Sequence, residues 1–210
     1  MNFLANLFSY IFHPLLMVTY LCTVVFFGIE NSMFDLFTPL KLKIIILTTV
    51  FAFTFLMPVL NLLILLKLNY VSSWNVKDRK QRTFPLLASS ICYFGLFYML
   101  YQFPIWPSIK LIVLGGAISI FIAAMVNYYW QISTHMIGVG GFLGVLLAFS
   151  LFMQLPILIL ISIVIFMCGL IGFSRLYLKA HSSSQVYAGF FVGLILQFGL
   201  FFIAHQIQMV

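Results

Sequence analysis

Carboxylates are almost missing from this chain: Glu30, Asp35 and Asp78 are the only acids in 210 residues. A metal site built from clustered carboxylates has no material here, and neither metal nor cofactor is expected. Cysteine is scarce too. Cys22, Cys92 and Cys168 are odd in number, widely separated and set in apolar stretches, which argues against a disulfide framework or a zinc site. Charged residues make up 6% of the chain against 64% hydrophobic, about a quarter of the charge usual in a soluble domain. An integral membrane protein is the class that fits. Repeats and low-complexity tracts are absent, and several spans in 210 residues leave no room for a soluble domain. One integral membrane domain, 1–210, is expected.

A bilayer crossing takes roughly 20 apolar residues. On that basis the expected fold is an all-α polytopic bundle of about seven transmembrane helices, at 3–28, 43–69, 85–104, 109–130, 136–153, 155–173 and 185–205. The first has no basic n-region and no small-residue cleavage site, and is read as a retained helix. Pro14 and Pro58 fall inside spans and are expected to kink them. Gly138, Gly140, Gly141 and Gly144 form a small-residue stripe suited to close helix packing; with no strand before them, a phosphate loop is not indicated. Tyr128, Tyr129 and Trp130 sit where an interfacial belt is expected.

Polar residues gather in three islands at span ends. The first, Lys77-Asp78-Arg79-Lys80-Gln81-Arg82-Thr83-Phe84-Pro85, holds four of the ten basic residues. The second is Trp130-Gln131-Ile132-Ser133-Thr134-His135, and the third is Ser174-Arg175-Leu176-Tyr177-Leu178-Lys179-Ala180-His181. Counting crossings from the N-terminus returns all three to the same membrane face. Charge is costly in a bilayer, so polar groups kept at span ends are functional candidates. The net charge of +7 is not arrayed on a soluble face with interleaved aromatics, so no nucleic acid is expected; anionic headgroups or a phosphate substrate explain it better. The positive-inside rule makes this face cytoplasmic, but basic residues that hold substrate are poor topology witnesses. A bacterial cytoplasmic membrane is the expected location, with the side of the site open. The cations of 77–82 serve equally as a lipid anchor or as substrate ligands. His13, beside Pro14, is expected to face the bundle bonded to a neighbour, with lining of the pocket as the alternative, and His205 to lie at the opposite interface.

In order, these islands resemble the three-part signature of the type-2 phosphatidic acid phosphatase and vanadium haloperoxidase superfamily: Lys-x6-Arg-Pro, Pro-Ser-Gly-His, then Ser-Arg-x5-His-x3-Asp. Ser174-Arg175-x5-His181 matches the third part through its histidine. Ser133-Thr134-His135 matches the second, with Thr for Gly and Ile132 for Pro. Lys77 and Pro85 have the first-part spacing, with Phe84 where Arg is expected and Arg82 two residues earlier. Gln185 stands at the final Asp. The resemblance covers about 77–189 and implies a helical membrane bundle, usually of six spans, with the active site at one face.

It also implies roles. His181 would attack phosphorus to form a phosphohistidine, and His135 would protonate the leaving oxygen and later activate water. Arg175, Lys77, Arg82 and Ser133 would bind the phosphoryl oxygens, assisted by N–H groups at the start of the fifth helix. Gln185 can accept a hydrogen bond from His181 without the charge of the family Asp, and Asp78 is the acid able to take over that part. The implied activity is hydrolysis of a lipid phosphate or isoprenyl diphosphate. Two alternatives stay open: phosphoryl transfer to another lipid alcohol by the same mechanism, or a catalytically weak relative that binds phospholipid or scaffolds other membrane proteins.

Overall fold

The computed structural model describes residues 2–74, 76 and 78–208. Their regular structure is all helical, with no strand among them: α1 (Asn2–Ile11), α2 (Met17–Thr23), α3 (Met33–Leu36), α4 (Leu40–Phe51), α5 (Met57–Lys67), α6 (Arg79–Tyr101), α7 (Pro107–Tyr129), α8 (Thr134–Phe152), α9 (Leu158–Tyr177) and α10 (Ser183–Gln206). Seven helical stretches are long and apolar enough to cross a membrane: Phe3–Gly28, Leu40–Lys67 and each of α6 to α10. The chain is an integral membrane protein of the all-α class.

Two spans differ from the sequence expectation where it matters. Hydrophobicity placed the start of the third span at 85, leaving 78–84 in a loop, but α6 begins at Arg79. The Asp78 carboxylate accepts from the Lys80 N–H (3.0 Å), and Arg, Lys and Gln are good helix formers, so the island winds into the first turns. The sixth span runs past 173 to Tyr177. Ser174 Oγ donates to the Leu170 carbonyl (2.8 Å), and a cation is welcome in a last turn. Arg82 and Arg175 are therefore held on helices.

Both in-span prolines interrupt their helices. Pro14 disfavours helical geometry at His13, which is extended (φ −62°, ψ 134°) and opens a 3₁₀ turn, Pro14–Leu16. Of the carbonyls this break releases, that of Ile11 accepts from the Tyr20 hydroxyl (3.1 Å). Pro58 follows a π-helical turn, Ala52–Leu56. Proline has no N–H for the Thr54 carbonyl, which accepts instead from the buried Tyr93 hydroxyl (3.4 Å). In a bilayer every freed backbone group needs such a partner.

α8 and α10 form the tightest pair. A Cβ on Gly140 would collide with the Phe190 carbonyl, and one on Gly193 with the Ile137 carbonyl. The expected small-residue packing is present, and it lets the two backbones touch. α9 ends in a left-handed residue, Lys179 (φ 50°), with Ala180 N–H donating to Arg175 O (3.1 Å) and Lys179 N–H to Leu176 O (2.9 Å). This Schellman closure turns the chain from Arg175 back toward His181.

Candidate functional site

The N-terminal ends of α6, α8 and α10 meet the C-terminal end of α9 at one rim. Arg82 Nη2 donates to Thr134 Oγ1 (2.8 Å), joining the first island to the second. Arg175 Nη1 lies 3.4 Å from His135 Nδ1 and 3.5 Å from Nε2, joining the second to the third. Ser133 N–H donates to the Gln185 carbonyl (3.4 Å), fixing the start of α8 against that of α10. The convergence expected from counting crossings is the observed arrangement. Lys77 lies outside the described residues.

Ser133 is at the N-cap of α8, yet its side chain makes no capping bond. Its hydroxyl is fully buried and without a partner among the described residues, and so is Arg175 Nε. An unpaired buried donor is unfavourable by about 1–3 kcal/mol, and here two occur on residues that the signature makes phosphate ligands. With Ser133 turned away from the cap, the first-turn N–H groups of α8 lack that side-chain acceptor, and such a terminus favours an anion. Neither guanidinium is neutralised by a carboxylate, since Lys43–Asp35 (2.7 Å) is the one ion pair among the described residues.

His181 Nδ1 is 3.2 Å from Gln185 Oε1. A carbonyl oxygen only accepts, so Nδ1 carries the proton and Nε2 keeps its lone pair. Burial, reinforced by the Arg82 guanidinium, pushes the His181 pKa down to about 4, against the opposing pull of the Gln185 bond. The imidazole is neutral at physiological pH. Gln185 Oε1 also accepts from Ser182 N–H (3.0 Å), and Ser182 Oγ accepts from Gln185 N–H (3.4 Å). This reciprocal capping box locks the residue that orients His181. Asp78 is not brought to that histidine: its carboxylate is exposed and caps α6, because the island coils into helix instead of looping over the site.

The roles of Asn127, Thr134 and the Ser9 carbonyl have no counterpart in the sequence reading, and His13 takes the position given there as the alternative. Asn127, buried at the end of α7, donates from Nδ2 to the Arg79 carbonyl (2.8 Å) and Thr83 Oγ1 (3.0 Å), tying down the turn that carries Arg82. A lone polar residue late in an apolar span was the available signal. Thr134 serves as the acceptor for Arg82. The first span enters the site as well: His13 packs edge-to-face on His135 (centroids 5.9 Å apart), and the Ser9 carbonyl lies 3.1 Å from His135 Nε2. His13 is bonded to a neighbour as expected, its Nδ1 accepting from Leu15 N–H (3.4 Å), but that neighbourhood is the site. Beneath Thr134 an apolar cavity of about 50 Å³ descends between Pro14, Met17, Gly138 and Gln197. No group of three or more His, Cys, Asp or Glu among the described residues is placed to hold a metal ion. No family model matches this chain, and neither the curated proteins nor the solved structures contain a match.

Proposed function

We propose that this protein is a membrane phosphatase acting on a lipid phosphate or isoprenyl diphosphate through a phosphohistidine, as a divergent member of the type-2 phosphatidic acid phosphatase superfamily. The observation that supports this reading is a cluster with two guanidiniums, neither paired with a carboxylate among the described residues, in which the buried Ser133 hydroxyl and Arg175 Nε–H have no partner among those residues. A tetrahedral dianion supplies what is missing: negative charge and several acceptor oxygens.

The chemistry follows from the tautomers. The Nε2 lone pair of His181 attacks phosphorus, and the bond from phosphorus to the ester oxygen breaks. His135, protonated on Nδ1 by the phosphate monoanion as it binds, gives that proton to the departing alkoxide. In the second half His135 takes a proton from water, the water oxygen attacks phosphorus, and the P–N bond breaks to release inorganic phosphate and His181. Arg175 and Arg82 hold the equatorial oxygens, where charge accumulates. A lipid substrate is supported by location: the cluster sits at the ends of membrane spans, and Thr134 also lines an apolar cavity.

The test is phosphate release in detergent from a panel of lipid phosphates and isoprenyl diphosphates, using the native chain, His181→Ala and His135→Ala. Release from at least one lipid by the native chain, abolished in the first variant and strongly reduced in the second, is expected. Turnover untouched by His181→Ala overturns the mechanism.

A further inference from the structure

Pro14 ends α1 and so changes what the first span can offer. The last α-helical bond runs from Phe12 N–H to Phe8 O (2.9 Å). In a continuing helix the Ser9 carbonyl would accept from His13 N–H; here His13 is extended, and Ser9 O is turned to His135 Nε2 instead (3.1 Å). A carbonyl cannot donate, so His135 must hold its proton on Nε2. Arg175 Nη1 lies 3.4 Å from Nδ1 and 3.5 Å from Nε2; with Nε2–H given to Ser9 O, Nδ1 is the nitrogen left to accept from it, on the side where a phosphoryl group would bind. The His13 ring meets the His135 ring edge-to-face at 76°, a contact that rotation of His135 about χ2 would give up.

We propose that the Pro14 break makes the first span the positioning element for the acid–base histidine: the Ser9 carbonyl fixes the His135 tautomer and the His13 ring fixes its rotation, leaving Nδ1 as the nitrogen that exchanges protons with leaving group and water. This rests on the phosphatase reading for its consequence in turnover, but not for its geometry. Ser9 O bears on His135 as an orienting acceptor does in a hydrolase triad, without a full negative charge. Neither residue belongs to the three polar islands.

Two substitutions separate positioning from folding. His13→Asn keeps a side chain that accepts from the start of the 3₁₀ turn, since Asn is a favoured cap, but removes the ring. His13→Phe restores a ring and removes the acceptor. Turnover is compared on an alkyl lipid phosphate, whose leaving group needs a proton, and on p-nitrophenyl phosphate, whose leaving group does not. His13→Asn is expected to lose about 10- to 100-fold in the alkyl-to-aryl ratio, the range for a lost orienting partner, and His13→Phe to regain most of it. Nitrogen-15 imidazole NMR on His135 gives the readout that needs no turnover: an Nε2–H tautomer in the native chain and in His13→Phe, a tautomer mixture in His13→Asn. An unchanged ratio together with an unchanged tautomer in His13→Asn overturns the proposal, as does a native Nδ1–H tautomer. A native chain that hydrolyses neither substrate yet holds the Nε2–H tautomer sinks the phosphatase reading and leaves the positioning geometry standing.

Discussion

Replacing Arg175 by Lys should be far from conservative. The guanidinium stands at the end of α9 with Nη1 beside His135 and Nε buried without a partner among the described residues, so Nε–H and the Nη–H alongside it offer a flat two-donor edge. A phosphate accepts two parallel hydrogen bonds from such an edge. A lysine ammonium on the same helix position keeps the charge but presents a single point donor. Each charge-assisted bond is worth ~1.5–3 kcal/mol, so losing one lowers kcat/KM about 10- to 150-fold. Arg175→Ala removes both bonds and the charge, and about 10²- to 10⁴-fold is expected on the same scale. The assay is phosphate release from the preferred lipid, with vanadate inhibition measured alongside as a mimic of the five-coordinate state; inhibition should weaken in the same order, native, Lys, Ala. An Arg175→Lys variant indistinguishable from the native chain would show that only charge matters there and would refute the two-donor geometry.

The remaining predictions concern His181, its partner and the packing that holds them. His181 must be neutral to attack, and its pKa is held down to about 4 by burial and by Arg82. The acid limb of kcat/KM should therefore fall near pH 4 instead of at the ordinary histidine value, and Arg82→Gln should move it upward; a native limb at about pH 6.5, the free-histidine value, contradicts this. Gln185→Glu keeps the capping box, which accepts Glu as readily as Gln, and places a carboxylate on His181 Nδ1–H. Turnover at neutral pH is expected to hold or rise while the acid limb moves up, and Gln185→Asp should act in the same direction; a large loss of turnover in a folded Gln185→Glu protein would remove Gln185 as the orienting group. Gly193→Ala forces a methyl into the Ile137 carbonyl and should destabilise the bundle by ~1–3 kcal/mol through overpacking, read as a lower midpoint of thermal unfolding in detergent; an unchanged midpoint would mean that α8 and α10 are less closely apposed.

Much of this arrangement is legible in the residues because a bilayer leaves few choices. Apolar runs of crossing length fix the number of helices, and the count of crossings fixes which islands share a face, so the residues alone bring Arg82, His135, Arg175 and His181 together. What hydropathy misses is how far polar ends stay helical. Arg79–Phe84 and Ser174–Tyr177 lie outside the apolar windows but inside α6 and α9, held by a cap at Asp78 and a side-chain bond at Ser174. Asp78 departs from its expected role for that reason: as the exposed N-cap of α6 it is turned to the Lys80 N–H and not to His181. The Ser9 carbonyl was beyond reach, since a backbone acceptor has no residue type to recognise. Its signal was Pro14, which marks the place where carbonyls lose their helical partners.

Rapid quench of the native protein with a lipid substrate labelled on its phosphoryl group tests the central chemistry most directly. The expected result is an acid-labile, base-stable label on the peptide containing His181, absent in His181→Ala and accumulating in His135→Ala, where water activation is lost. A label on any other residue, or phosphate release with no phosphoprotein at any quench time, would contradict it.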